Sequence, residues 1–469
     1  MRRLSLLVWM CALSAVAPAA PPAAPAAPGA ADRAAARELF ERVIAFKTQA
    51  GNGQVPALAE FLAGKFRAAG FAAADVAVLP LGETASLVVR YRGSGRGGRP
   101  IALMAHLDVV TAKREDWQRD PYQLTEENGF FYGRGVMDIK EDVTLLTATF
   151  LRLKAQGFVP TRDLIIVFTG DEETGQLTVQ DLVTHHRELV DAEYAINGDG
   201  GGGVLNEQTG APMLYYLQGA EKAYQSYEVS TRNPGGHSSE PREDNAIYEL
   251  ADALRALHAF RFPVRWNDWT LADFKAAGEV TPGPLGQALA RFAADPTDAG
   301  AVGLIATDPL HVGKTRTTCV ATLLRGGHAD NALPQSATAT VNCRIFPGTS
   351  PEEVLATLQQ VVGAKAEVRA VGHWPAADAS PLRADVLAAV TRAVAAANPG
   401  ARVVPTMAQY ATDGAAFRGA GIPTYGAGSE FIKDSDEFSH GLDERLPVAS
   451  FYAGLRYWDV LLHELAGRR

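Results

Sequence analysis

Three cysteines in 469 residues are too few for a disulfide scaffold or a cysteine-rich zinc site. After the first residues the sequence has no run of about 18 or more apolar side chains, so no later segment is expected to span a bilayer. A net charge of −9 comes without any concentrated basic stripe. Phosphate backbones require such a stripe, which excludes nucleic acid as the expected partner.

At the N-terminus, Met1-Arg2-Arg3 precedes an apolar stretch over residues 4–17, a positive region followed by a hydrophobic one too short to cross a membrane. Residues 18–31 are almost entirely alanine and proline, a composition suited to cleavage and a loose tether. Residues 1–31 therefore read as a secretory signal peptide with an Ala/Pro-rich segment, and the mature protein is expected in the periplasm or outside the cell. No lipid anchor is expected, because Val8-Trp9-Met10 before Cys11 lacks the small residues of a lipoprotein processing site.

A hydrophobic content of 47% over this length supports more than one domain. Helical spacing over 34–46 and 54–69 precedes strand-like runs at 76–79 and 86–91. Three compact apolar runs follow at 101–105, 164–168 and 194–196, with a helical pattern over 140–156 between the first two. This alternation predicts an α/β fold with a mostly parallel sheet covered by helices. From about 219 the texture changes to alternating strands at 223–230, 317–324 and 337–346, with helices at 245–260 and 351–362. An inserted α+β unit is expected over 219–374, itself carrying an insertion at about 261–313. The first rhythm returns with a helix over 382–397, a strand at 402–406 and a closing helix over 449–465. The first domain is thus expected to be discontinuous, 32–218 plus 375–469.

Each of the three apolar runs ends in side chains able to bind metal: His106 and Asp108, then Asp171-Glu172-Glu173, then Asp199. Ligands bind at that edge of open α/β sheets, although Asp is also common where strands give way to turns. The i, i+2 spacing of His106 and Asp108 puts both on one face, where the carboxylate can orient the imidazole. Asp138 stands at the entry to the 140–156 helix, where it serves equally well as an N-cap. Asp171, Glu172 and Glu173 crowd three negative charges with no nearby Lys or Arg, and a dication relieves that repulsion. One of the two glutamates as ligand and the other as general base is the economical division.

His106-x-Asp108, the Asp138 loop, Asp171-Glu172-Glu173, Asn197-Gly198-Asp199-Gly200, Gly235-Gly236-His237-Ser238-Ser239 and the late His440, in that order, together resemble the M20 family of metallopeptidases. The resemblance implies a zinc-hydrolase catalytic domain with an inserted lid or dimerisation domain. It implies two zinc ions, with cobalt or manganese as substitutes: one bound by His106, Asp138 and Asp199, the other by Asp138, Glu173 and His440. Glu172 would be the general base for a metal-bridging hydroxide, Asp108 would orient His106, and a cis peptide would follow Asp138. His237, otherwise a surface loop histidine, would stabilise the oxyanion, in relatives often from the partner subunit of a homodimer. Asn331 and Arg344 match positions that hold the substrate backbone and carboxylate, although Arg344 also suits a sheet-surface salt bridge. Asp413 and Gly414, in Thr412-Asp413-Gly414, resemble a loop lining the site. Asn342 departs from the Asp of many relatives, and the 261–313 stretch exceeds the common lid.

The expected function is release of an amino acid from a dipeptide, a short peptide C-terminus or an N-acyl amino acid. A two-metal phosphoester hydrolase is disfavoured because no phosphate-cradling Gly loop or basic cluster accompanies the ligands. A catalytically silent binding protein would have lost the base or the bridging ligand, whereas Glu172 and Asp138 are both present. Cys319 and Cys343 lie equidistant in sequence from Asn331, so they either face each other across a hairpin as a disulfide or pack as two free thiols.

Overall fold

The computed structural model describes residues 27–372 and 376–467. The expected signal peptide thus lies almost wholly outside the described residues, and the first helix, Ala30–Ile44, begins at its last two positions. Among the described residues no helix is long and apolar enough to cross a membrane.

A ten-stranded sheet forms the larger layer. Its order is Val76–Leu81, Thr84–Tyr91, Leu164–Thr169, Ile101–His106, Tyr194–Asn197, Thr424–Gly426, Pro212–Glu221, Gly202–Leu205 and Phe431–Ile432, with Arg402–Ala408 also pairing to Pro212–Glu221. The centre, from Leu164–Thr169 to Thr424–Gly426, is parallel, while the strands on its flanks add antiparallel pairs. The sheet is therefore mixed around a parallel core. Ile101–His106, Leu164–Thr169 and Tyr194–Asn197 are buried at every position. Their continuous apolar character follows from helices on both faces. Alternate residues divide between the two layers: Ile101, Leu103 and Ala105 join the core beneath Lys140–Ala155 and Val448–Ala466, while Ala102 and Met104 meet Val179, Leu182 and Phe417 on the opposite face.

A second sheet, antiparallel throughout, runs in the order Thr318–Gly326, Ser336–Ile345, Ala223–Arg232, Ala366–Val371. Helices Ala246–Ala259 and Pro351–Val362 cover one of its faces around Tyr227, Leu250, Val341, Val354 and Leu358. Every second residue of Ser336–Ile345 is buried, from Ala337 to Ile345, which turns Asn342 and Arg344 to the other face. The chain changes sheet at Lys222, between Pro212–Glu221 and Ala223–Arg232. That is three residues beyond the expected boundary, because Gly219 belongs to a strand of the large sheet.

Residues 261–313, expected as an insertion in the second unit, are largely helical. They form helices Asp268–Val280, Gly283–Ala294 and Ala299–Ile305 around Phe274, Leu289 and Phe292. The first of these docks on the large sheet: Trp269 joins its core, its indole N–H donates to the Ser380 carbonyl at 2.7 Å, and the Thr406 hydroxyl donates to Asp273 at 2.7 Å. A side chain at Gly219 would collide with the Trp269 ring, so the glycine there makes room for the indole. Cys319 and Cys343 stand opposite each other in the antiparallel register and are joined as a disulfide.

Candidate metal centre and substrate pocket

His106 ends its strand with Nδ1 3.0 Å from the Asp108 carbonyl oxygen and 3.5 Å from the Asp108 carboxylate. A carbonyl only accepts, so Nδ1 carries the proton and Nε2 is left with its lone pair toward the site. Asp108 thus orients the imidazole chiefly through its backbone. Its carboxylate accepts the N–H groups of Glu172 and Glu173, each at 3.1 Å, and fixes the turn that carries both glutamates.

Asp138 follows the turn after Gly135 and precedes the cis peptide to Ile139. One carboxylate oxygen lies 3.1 Å from His106 Nε2 and the other 3.0 Å from His440 Nε2. His440 also lies 3.0 Å from Glu173. The donor atoms of His106, Asp138 and Asp199 fall within 4.8 Å of one another, as do those of Asp138, Glu173 and His440. Two mixed nitrogen and oxygen sets therefore share Asp138. Burial opposes protonation of His106, but Asp108 and Asp138 outweigh it and raise its pKa well above the usual range. Asp138 and Glu173 push His440 up to about 10. Both shifts record a carboxylate cluster that calls for positive charge, which bound cations supply directly.

Glu172 belongs to neither set, although it lies beside both. Burial, then the Asp199 charge, raises its carboxyl well above the ordinary range, as suits a group that takes and returns a proton. Gln176, which holds a left-handed φ of 53°, donates to it at 3.0 Å. The third acid of the motif, Asp171, has turned away. It accepts the N–H groups of Leu177 and Thr178 at 2.7 and 2.9 Å and caps the helix Leu177–His185, so backbone amides meet its charge.

Asp138, Glu172, Glu173, Asp199 and His440 line a cavity of about 660 Å³. Arg344 reaches its wall from the second sheet, paired across strands with Tyr224, with its guanidinium 4.9 Å from that ring's centroid. No carboxylate among the described residues forms an ion pair with it, so the sheet-surface salt bridge does not form. Asp413 is buried beneath the site beside His106, Glu172 and Asp199, and burial raises its carboxyl to about 7. Gly414 starts the short helix behind it, with its N–H donating to Thr412 at 3.0 Å. His237 and Asn331 are not brought to the cavity. Both are exposed on the tip of the second unit, where the Ser238 N–H donates to the Asn331 carbonyl at 3.1 Å.

Glu444 is a residue the sequence reading missed. Fully buried, it accepts the N–H groups of Gly135, Met137 and Asp138 at 2.8–3.0 Å and the Arg134 guanidinium at 2.8 Å. It thereby fixes the loop that presents Asp138. No local pattern marks it, because its partners lie some 306–310 positions earlier.

Residues 102–464 match the family model described as peptidase family M20/M25/M40. The chain belongs to that family. It is 28% identical over 284 residues to the human N-fatty-acyl-amino acid synthase/hydrolase PM20D1, covering 60% of this chain and 56% of that protein. The match thus spans little more than half the length of the curated relative. An M20 family metallo-carboxypeptidase from Sulfolobus solfataricus shares the fold at a TM-score of 0.72 and 16% identity, over 92% of this chain and 99% of that one. So does a Bacillus subtilis dinuclear metal-binding peptidase of the M20 family, at 0.57 and 12%, over 92% and 98%.

Proposed function

We propose that the protein is an exported two-zinc hydrolase that cleaves the amide bond next to a free carboxylate, releasing an amino acid from a dipeptide, a short peptide or an N-acyl amino acid. The observation that carries this reading is the juxtaposition, at one cavity, of two donor sets sharing Asp138, a Glu172 that belongs to neither, and an Arg344 with no acidic partner among the described residues. The donors suit zinc: each set has one imidazole among carboxylates, and His106 presents the nitrogen that can ligate. Bound zinc would acidify the attacking water and polarise the scissile carbonyl.

The chain's own residues supply the rest. Glu172 accepts the water proton and delivers it to the departing amine. Arg344, braced on Tyr224, holds the substrate carboxylate with its planar fork. The Sulfolobus relative is described as a carboxypeptidase and the human one acts on N-acyl amino acids; such substrates share a free carboxylate. Export is supported by the Cys319–Cys343 disulfide, a bond that persists in oxidising compartments.

The test is a panel of dipeptides, N-acyl amino acids and their C-terminal amides, run with metal analysis. Carboxylates are cleaved and amides are poor substrates. Chelation abolishes turnover and zinc restores it. In Glu172→Gln, metal content stays near two equivalents per chain, as the two donor sets require, while turnover falls by about 10²–10⁴. Substantial activity in that variant removes Glu172 as the base, and equal cleavage of the amides removes Arg344 as the carboxylate anchor.

A further inference from the structure

A third carboxylate cluster lies behind the two donor sets and takes no part in the proposed chemistry. Glu141 and Asp142 stand in the first turn of the helix Lys140–Ala155, and Glu430 precedes the edge strand Phe431–Ile432. Oxygen atoms from the three lie within 4.8 Å of one another. Glu141 and Asp142 are 1% and 0% exposed. Among the described residues no Lys, Arg or His forms an ion pair with any of the three.

Asp142 is anchored. It accepts the Trp458 indole N–H at 2.6 Å and the Ser429 backbone N–H at 3.2 Å, together with the Ser429 hydroxyl. Glu141 is not: neither of its buried oxygens has a hydrogen-bond partner. The donor nearest in effect is its own backbone N–H, which does not reach hydrogen-bond geometry. Glycines keep the surrounding space clear. A side chain at Gly202 or Gly428 would run into the Glu430 carboxylate, and one at Gly198 would come within 2.7 Å of Asp142.

A buried charge without a partner is among the most costly arrangements a fold can hold, and here three carboxylates converge. Burial and mutual repulsion raise the carboxyls of Glu141 and Glu430 well above their ordinary range. Protons relieve the charge, but they leave the Glu141 carboxyl without a hydrogen-bond partner among the described residues. A cation takes one oxygen from each of the three carboxylates. The donors are all oxygen, without the imidazole that each neighbouring set contains, and hard oxygen donors select calcium or magnesium over zinc.

We infer that Glu141, Asp142 and Glu430 form a third cation site, for a divalent alkaline-earth ion, separate from the two donor sets that share Asp138. Its ion ties the first turn of the helix that starts beside Asp138 to Glu430 on the cavity wall, and through Gly198 it braces the turn of Asp199. The inference stands apart from the amide-hydrolase reading, since no catalytic step uses it.

The test is a titration of the full-length mature protein, its zinc content determined beforehand, with calcium chloride and separately with magnesium chloride, followed by calorimetry and thermal unfolding. One equivalent of calcium or magnesium binds saturably, and the melting temperature rises with it. Binding is lost in Glu141→Gln at unchanged zinc content. The ion that saturates at lower concentration is the one assigned. Absence of saturable binding and of any melting shift with either ion overturns the site, as does undiminished binding in both Glu141→Gln and Glu430→Gln. If neither variant folds, the wild-type titration decides by itself, with zinc re-measured to show that the added ion has not displaced it.

Discussion

Lys222 shows how one residue can be set by the sheets around it. It stands where the chain leaves the large sheet for the small one, and its ammonium is buried, donating to the Arg316 carbonyl and the Thr318 hydroxyl, each at 2.9 Å. Burial first, and the Arg344 charge second, lower its pKa from 10.5 to about 7. Between those values the unfolded chain holds the proton that the folded chain has released, so stability rises with pH across this window and is flat with respect to this group below it. Replacing Lys222 by Met removes the contribution. Denaturant unfolding of wild type and Lys222→Met from pH 7 to 10 is expected to show the wild type gaining on the variant by up to about 1.4 kcal/mol per pH unit. A stability difference that is constant with pH contradicts the assignment.

At the scale of elements, the loop from Gly133 to Asp138 has little regular structure of its own and depends on Glu444 arriving from the far end of the chain. Replacing Glu444 by Gln keeps the shape but removes the charge that answers Arg134 and weakens three backbone contacts. Breaking a buried pair in this way costs about 3–5 kcal/mol. Glu444→Gln is expected to bind metal roughly 10–100-fold more weakly, the range seen when groups supporting a ligand are removed; zinc competition with a chelating dye measures it, and wild-type affinity in a folded variant excludes the role. His106, Glu173 and Asp199, candidate ligands, stood out in the sequence because each follows a continuous apolar strand, and Asp138 because it follows a glycine turn, whereas His440 was marked only by the family resemblance. Glu444 was not, because a residue that acts only through distant backbone amides leaves no local pattern. The same reason hid the strand Pro212–Glu221, whose opening proline and internal Gly219 break the expected periodicity, and the short strands Thr424–Gly426 and Phe431–Ile432, which exist only through their neighbours. The 261–313 stretch carried few periodic signals, and its structure was not read from the sequence. Where its helices dock is decided by Trp269 and Gly219, and that pairing is invisible until the chain is folded. Cys319 and Cys343 were equidistant from Asn331, and the register holds that pairing from Cys319 to Ala321 before a bulge shifts it near Leu323.

For the whole molecule, the proposed chemistry also needs an oxyanion donor, and His237 and Asn331, which the family resemblance suggests for substrate and oxyanion contacts, face solvent. We propose that a second copy of the chain supplies it. The edge strand Thr318–Gly326 is exposed along most of its length and presents Val320, Leu323 and Leu324 at 58–68% exposure. An uncovered apolar edge of this kind is a surface for pairing, and in a two-fold dimer each unit meets its own counterpart. Such pairing would carry His237 and Asn331 of each copy toward the cavity of the other. The arrangement makes a quantitative prediction. His237→Ala and Glu172→Gln should each be nearly inactive alone. In a mixed dimer, one cavity receives an intact Glu172 from one chain and an intact His237 from the other, while the second cavity lacks both. Equal amounts of the two variants, allowed to exchange subunits at random, place half of the dimers in the mixed state with one working cavity in two, so about a quarter of wild-type activity should return. Sedimentation establishes the dimer and the activity of the mixture reads the complementation. A mixture no more active than its components, from a protein shown to exchange subunits, would place His237 outside catalysis, and a monomer retaining full turnover would remove the need for a second copy.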